Sequence, residues 1–481
     1  MSRQSFIPSL LAAGLLAGCA LGPDAAPRDP PTPAAFREQV PAAPIWPEKD
    51  WWRGFHSADL DRLIATAETD SFDIAVAIAK IRQADAQLRI SGAALLPAVS
   101  ATGTQKWSTS YVSSRSRLVG SSGYTDSRSS ELTASASYEV DVWGRLQALR
   151  DSAEASALAS RYDAQTVALT TVSSIATTWF TALAYQDRLA VAQRNLGDAE
   201  EILRAIVARR DAGTVSDLDV AQQAALVAGI RAQIPSLRNN AQTQINALAV
   251  LIGTVPESIH VAPGTLNSLD LPEVAPGLPS ALLARRPDIA NAEANLAAAE
   301  ANLREARAEF YPQIELTAQG GWQSAALGAL FGPTSILANA ASSATQTLFD
   351  NGSKQATFDL DQAKRDELVA SYRKTVAQAF TDVEDALTQY RFTTEQETLE
   401  RDAVAVAQRA SDIARAQVLA GTSDIVTALQ AQSTLFNDLD TLAQVRLARF
   451  QALVALYKAL GGGWSLGDTE PPHPHVLQGV L

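Results

Sequence analysis

Residues 145–253 and 353–461 are two copies of one design, with landmarks separated by a constant 208 positions. Gly144 aligns with Gly352, Gln147-Ala148 with Gln355-Ala356, Ala212-Gly213-Thr214 with Ala420-Gly421-Thr422, and Gly253 with Gly461. Internal duplication means that the fold sets one unit beside its repeat. Each copy contains a proline-free stretch of about 67 residues, which as a helix rising ~1.5 Å per residue would be about 100 Å long. No compact globular domain needs that. Residues 353–420 contain neither Gly nor Pro, and 145–212 contain only Gly197. Leu368, Tyr372, Val376, Phe380, Val383, Leu387 and Tyr390 step by threes and fours, the seam of side-by-side helices packing knobs into holes. Val172, Ile175 and Trp179 occupy the same register in the first copy. Gly213 and Gly421 end the long helices, because Gly takes the left-handed conformation of a helix C-terminus without penalty. A return helix of about 38 residues then runs to Gly253 or Gly461. The two Ala-Gly-Thr turns become the tips of two helical hairpins.

What precedes each hairpin is different in kind. A helix from about Leu60 to Ala94, broken near Asp70-Ser71, ends at Pro97, and its counterpart from about Ala281 to Phe310 ends at Pro312. Proline cannot donate to a ladder and biases its predecessor toward extended geometry, so each marks a switch from helix to strand. Residues 98–111 and 131–142 read as strands, and Leu132 to Val142 alternate apolar and polar with the period of a strand. Residues 113–130, with Gly120 and Gly123, read as a polar loop. In the second copy Ile314 to Gln319 starts a strand and 335–349 returns. No charged residue falls between Glu315 and Asp350, which admits a transmembrane helix as a rival, but five Gly and Pro residues among many Ser, Thr and Gln disfavour it. Membrane strands of about 9–11 residues bracketed by aromatics fit better, although Tyr311 and Trp322 have opposite parity. At the return turns, Asp141-Val142-Trp143-Gly144-Arg145 and Phe349-Asp350-Asn351-Gly352-Ser353, glycine permits the reversal and Asp350, Asn351 or Ser353 can bond free helix-start donors.

Charged residues make up 19 % of the chain and the net charge is −13, so no nucleic-acid partner is expected. The N-terminus carries a short apolar stretch, Ile7 to Leu16, then Ala17-Gly18-Cys19, a secretory signal too short to span a bilayer. Cys19 is the single cysteine, so no disulfide is available. Leu16-Ala17-Gly18-Cys19 resembles a bacterial lipobox. That resemblance implies a Cys19 carrying covalent diacylglycerol and an N-acyl chain, and Ala20 after it implies sorting to the outer membrane. An ordinary signal peptide is the alternative. Eight prolines between Pro23 and Pro47 make an extended strap, and Trp46, Trp51, Trp52 and Phe55 would dock it on the body. The four histidines, His56, His260, His473 and His475, form no metal-spaced helical pair. No nucleophile elbow, P-loop or dinucleotide fingerprint is present, so neither enzyme chemistry, metal nor cofactor is expected beyond the lipid.

Four strands cannot close a barrel, and hydrocarbon does not tolerate an open sheet edge. The chain must therefore oligomerise: three copies would give twelve strands and twelve helical walls, a tube within the bacterial barrel range. The lipobox, the Trp-rich mature N-terminus, Leu95-Leu96-Pro97, Tyr138 to Arg145, Arg285-Arg286-Pro287-Asp288-Ile289, Phe310-Tyr311-Pro312 and Ala420 to Ile425 together resemble the outer-membrane efflux lipoproteins of the TolC type. The likeness runs from Cys19 to about Trp464. It implies a mainly α chain with membrane β: a homotrimeric 12-stranded outer-membrane barrel continued by a long periplasmic α-helical barrel. It also implies an exit duct serving a periplasmic adaptor (membrane fusion protein) and an inner-membrane RND-type pump. The corresponding division is a signal peptide at 1–18, a lipidated strap at 19–58, repeat-one helices at 59–96, strands at 97–142 and a hairpin at 143–253. A linker at 254–280, a repeat-two helix at 281–311, strands at 312–349, a hairpin at 350–461 and a tail at 462–481 complete it.

The family's gate lies near the periplasmic end, with acidic side chains around the axis. Those positions fall here on Thr427 and Gln430, a departure from the pattern. Asp424 is one turn earlier, and Asp219, with Asp217 beside it, takes the register of Thr427 in the first copy. Either three Asp424 side chains, one per protomer, make a cation-favouring constriction, or Asp217 and Asp424 only complement helix dipoles. The tips Gly213-Thr214 and Gly421-Thr422-Ser423 would be adaptor-docking points by the resemblance, or plain helix punctuation. Pro97, Trp143, Gly144, Arg145, Pro312 and Gly352 mark the strand–helix junctions. A type I protein secretion duct and a periplasmic coiled-coil scaffold lipoprotein remain alternatives, the strand pairs arguing against the scaffold.

Overall fold

The computed structural model describes residues 33, 35–37, 45–112, 123–274 and 279–466. The signal segment and Cys19 lie outside them. The elements, in chain order, are α1 (Ala58–Asp70), α2 (Phe72–Ala93), β1 (Ala98–Val112), β2 (Gly123–Glu139), α3 (Arg145–Asp211), α4 (Asp217–Leu251), the single turn α5 (Pro279–Leu282), α6 (Pro287–Ala308), β3 (Gln313–Ser324), β4 (Ile336–Thr345), α7 (Ser353–Ala420) and α8 (Ile425–Ala459).

The two long helices, α3 at 67 residues and α7 at 68, are each flanked by shorter helices laid end to end. The end of α4 meets the break between α1 and α2, where a Cβ on Gly253 would stand 1.8 Å from the Asp70 carbonyl oxygen. The end of α8 meets the start of α6 in the same way, with a Cβ on Gly461 placed 1.8 Å from the Arg285 carbonyl oxygen. Both glycines have positive φ, +80° and +87°, so conformation and close approach both demand glycine. α2 and α4 pack on α3, α6 and α8 pack on both α3 and α7, and α3 and α7 barely touch. The result is a wall of four columns in the order α2/α4, α3, α6/α8, α7.

The strands form one antiparallel sheet in the order β1-β2-β3-β4. β1 leaves α2, β2 enters α3, β3 leaves α6 and β4 enters α7, so strand order repeats column order one for one. The register runs from Ala98↔Ser137 through Glu139↔Glu315 to Gln313↔Thr345. The helical rival for 315–350 is thus replaced by paired strands.

Several boundaries differ from the sequence reading. Gly123 to Ser130 belong to β2 rather than to the polar loop, because hydroxyl pairs close this part of the ladder: Ser108 to Ser127 at 2.7 Å, and Thr109 donating to Asp126 at 2.6 Å. Such cross-strand pairs need no apolar alternation. β2 stops at Glu139 rather than Val142, and β4 at Thr345 rather than Phe349. The helix expected from Ala281 is broken at Arg285-Arg286, with Arg286 extended (φ −114°, ψ 121°) and Pro287 opening α6, where its missing N–H costs nothing. Tyr311 precedes β3, so its parity with Trp322 is irrelevant. Gly462 to Trp464 are not free tail: Trp464 is buried edge-on against Tyr162, 5.8 Å between ring centres.

The main apolar core lies beside the middle of α3. Trp51, Trp52 and Phe55, on a short 3-10 turn, join Val172, Ile175, Trp179 and Phe180 of α3 and Phe450, Leu453 and Tyr457 of α8. Trp51 stacks on Tyr457 at 4.8 Å. The aromatic knot therefore docks the strap. Phe36, from an earlier part of the strap, is buried in a second cluster with Tyr372, Val376, Val383 and Leu387 of α7. Residues 254–274 run irregularly along α3, where Gly264 and Leu266 donate their N–H groups to Gln186 and Asp187. α3 has a window apolar enough to cross a bilayer, yet 56 % of that window is buried within the protein, as a wall helix requires.

Candidate functional site

The working parts of such a wall are its membrane end, its middle and its tips. At the membrane end Gly144 and Gly352 adopt positive φ of +74° and +83° before α3 and α7. Asp141 accepts from the Leu146 and Gln147 N–H groups, and Asp350 from those of Gly352 and Lys354. Free helix-start donors are thereby satisfied at both turns. Trp143 stacks on Tyr311 at 4.9 Å and donates its indole N–H to the Pro312 carbonyl at 2.7 Å. Arg145 bonds Glu139 through two nitrogens, at 3.0 and 2.7 Å, and reaches Glu305 at 3.4 Å. Pro97 and Pro312 stand immediately before β1 and β3. On the other side of the sheet Tyr111 meets Tyr124 and Trp322 meets Phe331, both edge-on. By the register Trp322 is level with Gly103 through Leu132, whereas Tyr111 and Tyr124 stand further along the same ladder, so aromatics occur at the helix end of the sheet and at two levels beyond it.

Among the described residues the two buried charges, Glu397 and Arg286, each face more than one counter-charge. Glu397 of α7, 2 % exposed, accepts from Arg446 and Arg449 of α8 at 2.9 and 3.0 Å, and from Arg401 at 2.6 Å. Burial pushes the Glu397 carboxyl up, but the bonds from Arg446 and Arg449 outweigh it and hold the group below the usual glutamate range. Arg286 explains the double-arginine motif. It bonds Asp288 at the start of α6, Asp382 of α7 and the Ala459 carbonyl at the end of α8, pinning three helices at one break. Arg285 lies over the Trp46 ring at 4.5 Å.

At the tips, the Gly213 N–H donates to Arg210 and that of Thr214 to Arg209; those of Gly421 and Thr422 donate to Val418 and Gln417. Each is a Schellman closure, with φ of +73° at Gly213 and +75° at Gly421. The return helices are capped differently. Ser216 and Asp219 form a reciprocal capping box, and the Ser216 backbone and hydroxyl bonds hold the Asp219 carboxyl below its ordinary range. Asp424, in the register of Ser216, caps α8 alone by accepting from the Val426 N–H at 3.3 Å. Asp217 is exposed, 3.9 Å from Arg210. Ile425 and Ala428 are buried against Ile202, Ile206 and Val418, while Asp424, Thr427 and Gln430 are exposed. Gly213, Thr214, Gly421 and Thr422 are exposed and Ser423 half-buried.

Sequence reasoning missed the polar contacts that, beside this apolar cluster, join the two hairpins. Arg209, in the last turn of α3, donates to the Val418 carbonyl of α7 at 2.8 Å, satisfying one of the free carbonyls at that C-terminus. Arg415 of α7 reaches Asp198 at 3.5 Å and also bonds Glu201 of α3. No repeat signal marks these arginines, since Arg209 aligns with Gln417. Among the described residues no group of three His, Cys, Asp or Glu side chains is placed to hold a metal.

Residues 63–254 and 278–462 match the outer membrane efflux protein family. The pyoverdine export outer membrane protein OpmQ of Pseudomonas aeruginosa is 39 % identical over 470 residues, covering 95 % of this chain and 96 % of its own. The antibiotic efflux pump outer membrane protein ArpC of Pseudomonas putida is 34 % identical over 467 residues, 96 % of each chain. The Campylobacter jejuni CmeC outer membrane channel superposes with a TM-score of 0.87 over 94 % of this chain and 97 % of that one, at 22 % identity, and so shares the fold. With the column-and-strand geometry, these matches establish that the chain is an outer-membrane channel-tunnel belonging to the outer membrane efflux protein family.

Proposed function

We propose that three copies of this chain form the outer-membrane exit duct of a tripartite small-molecule efflux system, docked through its hairpin tips to a periplasmic adaptor and an inner-membrane RND-type pump. The observation that carries this reading is the four-column wall continuing strand by strand into a four-stranded sheet with both edges open. An unpaired edge in lipid costs several kcal/mol per orphan backbone group, so closure by further copies is the economical solution. The flanks support it. Phe392, Leu399, Val406 and Ile413 stand exposed on α7 at a spacing of seven, the stripe of a helix awaiting a partner. The other flank, α4, exposes Ala221, Ala225, Ala228 and Ala232, small enough to receive such knobs. The relatives named for pyoverdine export and antibiotic efflux favour a small-molecule cargo over protein secretion.

Cys19 serves as the lipidated residue that adds an anchor to the barrel. Asp424, besides capping α8, contributes one carboxylate per protomer to a constriction at the tips, where like charges repel as the lumen narrows. Arg209 and Arg415 clasp the hairpins and hold that end closed until the adaptor engages Gly213-Thr214 and Gly421-Thr422-Ser423. Purified protein should show three chains per particle by light scattering and conduct in planar bilayers. A stable monomer without conductance, the behaviour of a coiled-coil scaffold, overturns the reading. Cells lacking the gene should lose small-molecule efflux and keep protein secretion; the reverse would assign a type I system.

A further inference from the structure

Inside the chain, the half of repeat one that returns from the sheet (β2 and α3) lies against the half of repeat two that runs out to it (α6 and β3). The return halves are related by 208 positions and the outgoing halves by 215, the separation of Pro97 from Pro312. On this internal seam Arg304 of α6 reaches Asp151 Oδ2 of α3 at 3.3 Å, while Asp151 Oδ1 accepts from Gln147 at 2.6 Å. Shifted by the two offsets, Asp151 becomes Asp359, Gln147 becomes Gln355 and Arg304 becomes Arg89, so all three residue types recur. Gln355 already donates to Asp359 Oδ1, at 2.8 Å. Asp359 and Arg89 are both exposed, and no ion pair involves either among the described residues. They cannot meet within one chain, because α7 is the last column of the wall and α2 the first. The apolar surroundings point the same way. Ser152, buried on the internal seam, corresponds to Leu360, which is exposed, as are Ile90 and Leu96 on the other flank. Leu348 and Phe349, at the β4–α7 turn, are 92 % and 83 % exposed.

We propose that the internal seam is copied between subunits: Arg89 of one subunit pairs with Asp359 of the partner subunit, and the turn at Leu348-Phe349 covers the Leu96-Pro97 turn of the next copy. Each chain offers one flank of each kind, so the contact is head-to-tail and closes into a ring when the rotation allows. Apolar cover supplies the association, and the ion pair sets the vertical register of neighbouring walls. The proposal rests on the trimeric reading and adds the residues that align the copies.

A charge-reversal cycle tests it. Arg89→Asp and Asp359→Arg should each lower the temperature at which the detergent-resistant oligomer falls to monomer. The double reversal in one chain should recover most of that loss. A double reversal no more stable than either single variant, with a wild type that scatters as three chains, overturns the pairing and leaves the trimer standing; a monomeric wild type overturns both. Should the reversals fail to assemble, co-expressed chains carrying Arg89→Cys and Asp359→Cys separately, each retaining Cys19, provide a second readout. A short thiol cross-linker should join them as a covalent dimer, and a dimer yield equal to that of the single-variant controls contradicts the proposal.

Discussion

At the membrane end of the wall Trp143 stacks on Tyr311 and Arg145 bridges two glutamates, whereas at the far end a small apolar cluster of Ile202, Ile206, Val418 and Ile425, with two arginines beside it, ties one hairpin to the other. The first set combines an aromatic stack, still open to the surroundings at Trp143, with ion pairs that are about four-fifths covered on the arginine side. The arginine contacts of the second are half-exposed, and such ion pairs contribute only about 0–1 kcal/mol each. On the proposed reading, one end stays shut against lipid and the other lets go. The glycines draw a different line: Gly253 and Gly461, at the helix breaks inside the wall, abut backbone, while a Cβ on Gly144 at the membrane end or on Gly213 at a tip would meet nothing within 4 Å.

The largest effect should come from disturbing the packed region. Gly253→Ala forces a Cβ into the Asp70 carbonyl at positive φ, and should cost about 3 kcal/mol or more, read as a fall in the oligomer's melting temperature. Gly144→Ala, paying only the left-handed penalty of about 1 kcal/mol, should fall much less; equal losses would remove the distinction between the two kinds of glycine. Next in size, Glu397→Gln leaves Arg446 and Arg449 facing each other without a counter-charge, and should cost about 3 kcal/mol by the rule for broken buried pairs. Because the folded carboxyl titrates below its ordinary value, its stabilisation is complete above the unfolded glutamate pKa and fades as pH falls through the folded one. Acid melts of wild type should therefore steepen below about pH 4 and those of Glu397→Gln should steepen less; parallel curves would contradict the pairing. The smallest thermal effect should come from the tips. Arg415→Ala should change the melting temperature by the equivalent of less than about 1 kcal/mol, and a large fall would mean that this end, too, is built for permanence.

The long helices were legible because periodicity, an absence of Gly and Pro and a repeated Gly stop all agree over 67 and 68 residues. The strand pairs were legible through Pro97, Pro312 and the alternation of Leu132 to Val142. The lower half of β2 was not, because Ser127 and Asp126 are held by hydroxyl pairing rather than by burial. The break at Arg286 carried two signals that sequence reasoning missed, Pro287, which biases its predecessor to extended geometry, and the alignment of Arg286 with Ser71 at an offset of 215. At the tips the glycine turns announced themselves, but Arg209 and Arg415 act across columns that sequence spacing does not relate. Asp424 shows the limit in another way: the sequence singles it out only as the acid one turn before Thr427, while its immediate bond is an N-cap.

Single-channel conductance of the Arg209→Ala/Arg415→Ala double variant in planar bilayers tests the central claim most directly. The account predicts a larger open conductance or a longer open time than wild type, with the trimer's melting temperature essentially unchanged. Unchanged conductance with both clasps removed, or a trimer that falls apart, would contradict a duct whose wall is permanent and whose gate is at the hairpin tips.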